Sequence, residues 1–397
     1  MTAHRSDFLI IGGGIFGLTA AIELATRQYT VRLLNPDTIP HHLAASTDIS
    51  KIVRMEYGSD EEYFHMAEAA IAGWKKWNEL LGESLYHETG FLLLCKEPLD
   101  GGRQSFEHLS YQMLRRKGYA AERWDARQLH ARMPVIDATT YPEAVYNPKA
   151  GYAESGLVIE KLAAYALSLG VLIHEQQTAI ALEKRLGRVA VVKTKEGQSF
   201  PADQVIVAAG AHTPYLLPEL SPYLQVTGHP VFWLKPEDPL PFAYPQLSVF
   251  AADISNSGWY GFPLHPKYGV VKVARHAAGL MVHPDRDDRQ VQEQEIADMR
   301  AMLRQTFPAL ATAPLVYTRR CLYTDTLDGH FWIDRHPEVD NLIIATGGSG
   351  HAFKMGPVLG PMIADLAEGK KHQWSDRYRW RHLDHDTLQV EEARQKT

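Results

Sequence analysis

Cysteine is scarce: Cys95 and Cys321 are the only two in 397 residues. That excludes a disulfide framework and a cysteine-based zinc cluster. The 19 histidines show neither H-x3-H nor H-E-x-x-H spacing, and the adjacent pair His41 and His42 does not place two rings on one helix face, so no metal is expected. No apolar run approaches the length of a membrane span. Neither sign of charge prevails, with 41 Lys and Arg against 47 Asp and Glu and a net charge of −6, which gives no reason to expect nucleic acid or an anionic membrane surface as partner. Internal repeats and low-complexity tracts are also lacking. Strand-like sequence begins at about residue 7, leaving no room for a signal peptide, so the expected location is cytoplasmic.

What is present is the composition of a globular enzyme, 45% hydrophobic and 22% charged, in a chain long enough for two packed domains. The most informative stretch is Phe8 to Arg27, "FLIIGGGIFGLTAAIELATR". Phe8 to Ile11 reads as a strand buried on both faces. Gly12, Gly14 and Gly17 follow at G-x-G-x-x-G spacing: the first allows a tight turn, the second admits a pyrophosphate against the backbone, and the third lets helix and strand pack closely. The helix N-terminus then offers free N–H groups to the phosphates. A second strand, Thr30 to Leu34, completes a βαβ unit, and Asn35 stands where an acidic residue usually holds the adenosine ribose. The alternative is a glycine-rich turn in another kind of α/β protein.

Residues 38–58 form a long connection carrying Ser46, Thr47, Lys51 and Arg54, the kind of loop that is usually functional. Ser59 and Glu62 suggest a capping box for a helix whose apolar stripe, Tyr63, Met66, Ala67, Ala70, Ile71, Trp74, Trp77 and Leu81, ends at Gly82. His87 to Cys95 reads as one strand leaving the nucleotide domain. Weak helices follow near 104–117 and 126–132. From Gly151 the nucleotide-domain pattern resumes, with a helix from Leu157 to Leu169, a strand from Val171 to His174, and a hairpin turning at Glu196 and Gly197. "QVIVAAGAHT" is another buried strand running into a small-residue turn at Ala209 and Gly210, where backbone can approach a cofactor. Strands near 231–235, 247–252, 259–262 and 269–275 and a charged helix near 287–306 supply more of a second domain. The last strand, Asn341 to Thr346, runs into the glycine-rich "GGSGHAFK" and a helix from Pro357 to Glu368. The tail beyond Trp380 is charged and is expected to be frayed or surface-bound.

Five segments in order, "IIGGGIFG", "DISKIVRMEYG", "WYGFPLHPKYGVVKVARH", "RRCLYTDTLDGHFWIDRHP" and "GGSGHAFK", resemble the flavin amine oxidases related to monomeric sarcosine oxidase, N-methyltryptophan oxidase and the fructosyl amino acid oxidases, within the D-amino-acid oxidase-like group. The resemblance covers nearly the whole chain. It implies an α/β fold of the α+β two-domain type, with a discontinuous Rossmann-type FAD-binding domain at 1–86, 150–221 and 319–381. An inserted antiparallel-sheet substrate domain occupies 87–149 and 222–318, and the charged tail 382–397.

The cofactor implied is FAD, linked covalently through the sulfur of Cys321. Arg319, two residues away on the same strand face, could lower the thiol's pKa; the alternative is an inert buried thiol, as Cys95 is expected to be. FAD contacts are implied at Gly12, Gly14, Ile15, Phe16 and Gly17, at Asn35, Ser46, Thr47 and Lys51, at Val171, and at Ala209 and Gly210. Gly348, Gly350, His351, Phe353 and Lys354 complete the set. Arg54 and Lys354 match a pair that grips the substrate carboxylate, an Arg fork with a Lys point charge. Lys272 matches a lysine that assists reaction with oxygen by stabilising negative charge as it develops. Tyr260, His276 and Tyr323 match pocket residues, and packing roles remain open for each. Lys51 departs from the arginine of the sarcosine-oxidase branch and leans toward the fructosyl amino acid oxidases.

The resemblance implies an oxidase of secondary α-amino acids, N-alkyl, N-carboxymethyl or cyclic, giving an imine and hydrogen peroxide. The partners expected are a small amino acid and O2, and the chain is expected to be a monomer. Rivals are a deglycating fructosyl amino acid oxidase, a dehydrogenase using another electron acceptor, and a flavin-binding protein without catalysis.

Overall fold

The computed structural model describes residues 5–101, 104–384 and 391–395. Its organising layer is a six-stranded sheet in the order Trp332–Arg335, Leu342–Thr346, Ala202–Val207, Ser6–Ile11, Val31–Leu34, Leu172–His174. All neighbours are parallel except the first pair. The apolar run at the N-terminus explains why this sheet is covered twice. Phe8 and Ile10 point into a core shared with the helices Ile15–Thr26, Ser155–Ser168 and Gly356–Ala367, whereas Leu9 and Ile11 point into a second core with Val189, Val192 and Phe200. That second cover is a small antiparallel sheet of Ala179–Arg185, Arg188–Thr194 and Ser199–Phe200; its first strand is an addition to the expected hairpin.

The substrate-side sheet runs Leu280–Met281, Leu224–Leu234, Val271–Arg275, Trp259–Gly261, Val249–Ala252, Phe91–Cys95, Glu143–Asn147, Glu122–Asp125. It is antiparallel apart from the parallel pair of Val249–Ala252 with Phe91–Cys95. The helix Glu293–Thr306 packs on it through Met299, Met302 and Leu303. The strand Leu315–Thr326, which carries Cys321, pairs along Leu224–Leu234 in this same sheet. The expected domain division at residue 319 therefore falls inside one continuous strand.

Several local expectations are corrected. The long connection after the second strand contains a short strand, Lys51–Val53, which pairs with Gly151–Ala153; that strand pairs in turn with Tyr86–His87. The expected strand from His87 to Cys95 is thus two, divided at Gly90, whose φ is +77°. The helix Glu61–Leu81 is capped by Asp60, whose carboxylate accepts from the Tyr63 amide at 3.0 Å, and no Ser59 capping box forms. Ser59 is taken instead by the Glu392 carboxylate. The tail is at the surface over 381–384, where His382 and Asp384 are exposed, but not over 391–395, where Ala393 and Arg394 are buried. The rest of that expectation lies outside the described residues. No helix among the described residues is long and apolar enough to cross a membrane.

The glycine turn gives a direct test of packing. A Cβ on Gly17 would lie 1.9 Å from the Gly12 carbonyl oxygen. Gly17→Ala is expected to lower stability by about 2 kcal/mol through overpacking alone, read as a shift in the denaturant midpoint. An unchanged midpoint would show that helix and strand do not need this close approach.

Candidate active site

The turn after the first strand is built for close approach. Gly12 has φ +112°, and a Cβ there would sit 2.3 Å from the Ala208 carbonyl oxygen, so only glycine fits between the two parallel strands. The Ile15 amide at the helix start donates to Ser46 Oγ at 3.0 Å, and the Gly13 amide donates to Asn35 Oδ1 at 3.0 Å. Asn35 Nδ2 in turn donates to the Asp37 carbonyl at 2.7 Å. Both ends of the Asn35 amide are thus engaged in shaping the turn, and an aspartate here would lose the donor. A ribose contact from Asn35 would compete with these bonds. Asp37, which the sequence reading did not single out, lines the same cavity two residues on.

That cavity has a volume of about 770 Å³. Its walls come from the glycine turn, the loop 41–54, Ala209 and Gly210, the strands bearing Lys272 and Cys321, and the turn from Gly347 to Lys354. Two expected contacts fall elsewhere. Gly17 packs against Gly12, as a helix–strand spacer does, and Val171 turns its side chain into the core beneath the first helix, because it precedes the edge strand rather than ending it. Around the cavity, Thr47 Oγ1, Ser50 Oγ, His229 Nδ1 and Arg54 Nη1 are buried without a hydrogen-bond partner. Buried polar atoms are rarely left so. A long polar cofactor entering at the glycine turn fits this lining, and the residues present are compatible with FAD.

On one wall, Lys272 Nζ lies 2.9 Å from Asp48 Oδ2 and also donates to the Ser50 carbonyl. Arg319 reaches the same Asp48 oxygen at 3.3 Å and donates to the carbonyls of His42 and Thr47. Burial alone would raise the Asp48 pKa, but Lys272, Arg319 and Lys51 outweigh it and hold the carboxyl at about 2. Burial lowers Lys272 to about 8, against the pull of Asp48. Asp48 is a residue that sequence reasoning missed; its only signal is its place in "TDISK". Cys321 is a free, buried thiol that lines the cavity, with Arg319 beside it. Lys51 lines the cavity too, 5.8 Å from the centre of the Phe353 ring.

At the other end of the loop, Arg54 is buried among the rings of Tyr57, Phe91 and Phe106. Its Nη2 donates to Glu391 Oε1 at 2.5 Å, and Glu391 Oε2 lies 3.3 Å from His276 Nε2. Lys354 Nζ donates to Tyr57 Oη at 3.0 Å. His351 Nε2 faces the Gly329 carbonyl at 3.0 Å and must donate to it, so His351 Nδ1 accepts from Tyr57 Oη at 3.1 Å. The polarity of the chain runs from Lys354 through Tyr57 to a neutral His351, whose pKa burial brings to about 3. Burial lowers Lys354 to about 7, with Glu391 opposing and Arg54 adding to the shift. Burial keeps His276 below its ordinary value despite Glu391. Tyr323 stacks on His229 with centroids 3.8 Å apart, and Tyr260 and Tyr323 pack against the same cluster of Val231, Ala274 and Cys321. Arg54, Lys272, Lys354, Tyr260, His276 and Tyr323 therefore share one cavity with Cys321. Glu391 was missed, for no motif surrounds it.

Among the described residues, no group of three His, Cys, Asp or Glu is arranged to hold a metal ion. Comparison with known proteins gives a consistent result. A model described as FAD dependent oxidoreductase matches residues 7–366. L-saccharopine oxidase of Schizosaccharomyces pombe is 29% identical over 423 residues, covering 95% of this chain and 93% of that protein. Monomeric sarcosine oxidase of a Bacillus species is 27% identical, covering 92% and 93%. In fold, the chain resembles the fructosamine oxidase Amadoriase II from Aspergillus fumigatus with a TM-score of 0.85 at 24% identity, over 99% of this chain and 94% of that one.

Asp48 compensates two buried cations, so Asp48→Asn leaves Lys272 and Arg319 without an anion. A loss of about 3 kcal/mol is expected, measured by thermal or denaturant unfolding. A loss well below 1 kcal/mol would show that the pair is compensated elsewhere.

Proposed function

The chain belongs to the FAD-dependent oxidoreductase family, and from that premise we propose that it oxidises a secondary α-amino acid, N-alkyl or N-carboxymethyl, to an imine. The substrate's C–H and N–H give up a hydride and a proton, water hydrolyses the imine, and dioxygen is reduced to hydrogen peroxide. The relatives are named for L-saccharopine, sarcosine and N-methyl-L-tryptophan, and all three compounds are secondary α-amino acids. The observation that supports the reading is that Arg54, buried beside Lys354 in the cavity lining, already pairs with a carboxylate of the chain itself, that of Glu391.

Bound FAD would supply hydride acceptance and the return of electrons to dioxygen, with Cys321 as its covalent attachment point. Every other contribution comes from the chain. Arg54 grips the substrate carboxylate and fixes the reacting carbon in one place, which makes the reaction effectively unimolecular. Lys354, with a pKa of about 7, lends positive charge that Tyr57 and His351 orient. The aromatic walls of Tyr57, Phe91 and Phe106 exclude water from the ion pair and strengthen it. Lys272, held by Asp48, keeps a buried cation available for negative charge developing on oxygen. Lys51 favours a second reading, deglycation of a fructosyl amino acid, in which its amine meets the larger polar substituent.

The decisive measurement is anaerobic bleaching of the purified yellow protein by sarcosine, longer N-alkyl and N-carboxymethyl amino acids, L-pipecolate, L-proline, fructosyl-glycine and primary amino acids. Bleaching by a secondary amino acid is expected; bleaching by fructosyl-glycine alone selects the second reading, and bleaching by none overturns both. After acid precipitation the colour is expected in the pellet, and in the supernatant for Cys321→Ser.

Oxygen reactivity should depend on pH in a defined direction. Lys272 is protonated below about 8 and neutral above it. Reoxidation of the reduced enzyme, followed by stopped flow, is therefore expected to be flat up to about pH 8 and to slow above it. Lys272→Met should be slower by on the order of 10²-fold at neutral pH. A rate that rises through pH 8 would remove Lys272 from this role.

A further inference from the structure

The segment 391–395 places Glu391 in the lining of the cavity and is fastened both to Ser59 and to the strand end and turn at 275–278. Arg394 donates to the carbonyls of Ala277 and Ala278 at 2.8 and 3.1 Å and to Asp325 Oδ2 at 2.8 Å. The Gln395 amide donates to the His276 carbonyl at 3.1 Å, and its side chain accepts from Arg275 at 2.9 Å. Ala393 is fully buried, and Glu392 accepts from the Ser59 amide. These anchors aim Glu391 inward, where its side chain is 4% exposed and paired with Arg54. Arg54 and Lys354 hold the Glu391 carboxyl ionised although burial opposes this.

A second buried anion at Arg54 is not supplied by Glu56. That carboxyl is pushed toward its neutral form by burial and is occupied by Asn147 Nδ2 at 2.7 Å. Arg54 thus relies on Glu391 for charge balance, because a buried cation stripped of its partner is costly. A substrate carboxylate gripped by both guanidinium nitrogens needs the Nη2 position that Glu391 holds; Nη1 alone is free. Two carboxylates on one buried guanidinium would repel each other.

We propose that Glu391 is a specificity-determining residue: it occupies the substrate-carboxylate subsite in the ligand-free enzyme and yields it only to a ligand that brings its own carboxylate. The inference rests on the assignment of Arg54 to the substrate carboxylate. An amine without a carboxylate cannot replace the charge that Glu391 removes on leaving, so the strap excludes it. The strap also keeps the clamp compensated between turnovers.

The test uses the full-length holoenzyme and propionate as probe, read by perturbation of the flavin absorbance, with neutral propionamide as control. If the strap is seated nine-tenths of the time, Glu391→Gln should bind propionate about tenfold more tightly and should also admit propionamide, which the seated strap keeps out of the wild type. In the wild type, saturating propionate should speed amide hydrogen exchange in residues 391–395. Equal or weaker propionate binding by Glu391→Gln, while Arg54→Gln abolishes it, overturns the strap and leaves the clamp standing. Unchanged or slowed exchange of 391–395 in the wild type also overturns the strap, without any variant. Undiminished propionate binding by Arg54→Gln sinks the clamp itself and the inference with it.

Discussion

Keeping buried cations compensated around one cavity is the constraint on which this structure depends. Arg54, Lys272 and Lys354 are buried around one space, and Arg319 is buried against Asp48 in its wall. Desolvation alone would make each unfavourable. The chain meets this with two buried carboxylates: Asp48 serves Lys272 and Arg319, and Glu391 serves Arg54. Carbonyls and hydroxyls at His42, Thr47, Ser50 and Tyr57 complete the coordination. The two clusters differ in permanence. Asp48 sits in the loop between the first βαβ unit and the following helix, whereas Glu391 arrives on a tail segment that reaches the site from the far end of the chain.

The rest of the architecture positions these clusters. The parallel sheet fixes the glycine turn, and the turn is locked by Asn35 and Ser46, whose side chains take the amides of Gly13 and Ile15. The substrate-side sheet delivers Lys272, Cys321 and Tyr323 from two strands, Val271–Arg275 and Leu315–Thr326, that flank Leu224–Leu234. The loop bearing Asp48, Lys51 and Arg54 lies between the two sheets and is pinned by pairing of Lys51–Val53 with Gly151–Ala153. Nucleotide-side and substrate-side chemistry therefore meet on one loop.

Membership of the FAD-dependent oxidoreductase family accounts for the fold and cofactor, yet the family includes proteins named for quite different amines. The discriminating surfaces are then the ones this chain supplies for itself. One end of the cavity is built from Arg54, Lys354 and Glu391. Other walls of the cavity come from the substrate-side sheet, including Tyr260 and Tyr323.

Much was legible in the amino-acid sequence because it is encoded locally. The run of Phe8 to Ile11 and the spacing of Gly12, Gly14 and Gly17 follow from strand burial and turn geometry, and both determine a βαβ unit without reference to anything distant. The helix stripe from Tyr63 to Trp74 was readable for the same reason, since 3.6-residue periodicity is a property of the helix itself. Its cap was not, because Ser59 and Asp60 are both good caps in isolation and the choice was made by Glu392, which draws Ser59 away. The motifs around Arg54, Lys272, Cys321 and Lys354 marked chemistry-bearing residues, but only the tertiary structure brought them to one cavity. Only it decided that Asp48 balances Lys272, that Asn35 is committed to the turn, that Val171 is core, and that Glu391, 337 residues from Arg54, pairs with it. No periodicity or spacing encodes such pairs, because a buried charge selects its partner by position in space and by the cost of having none.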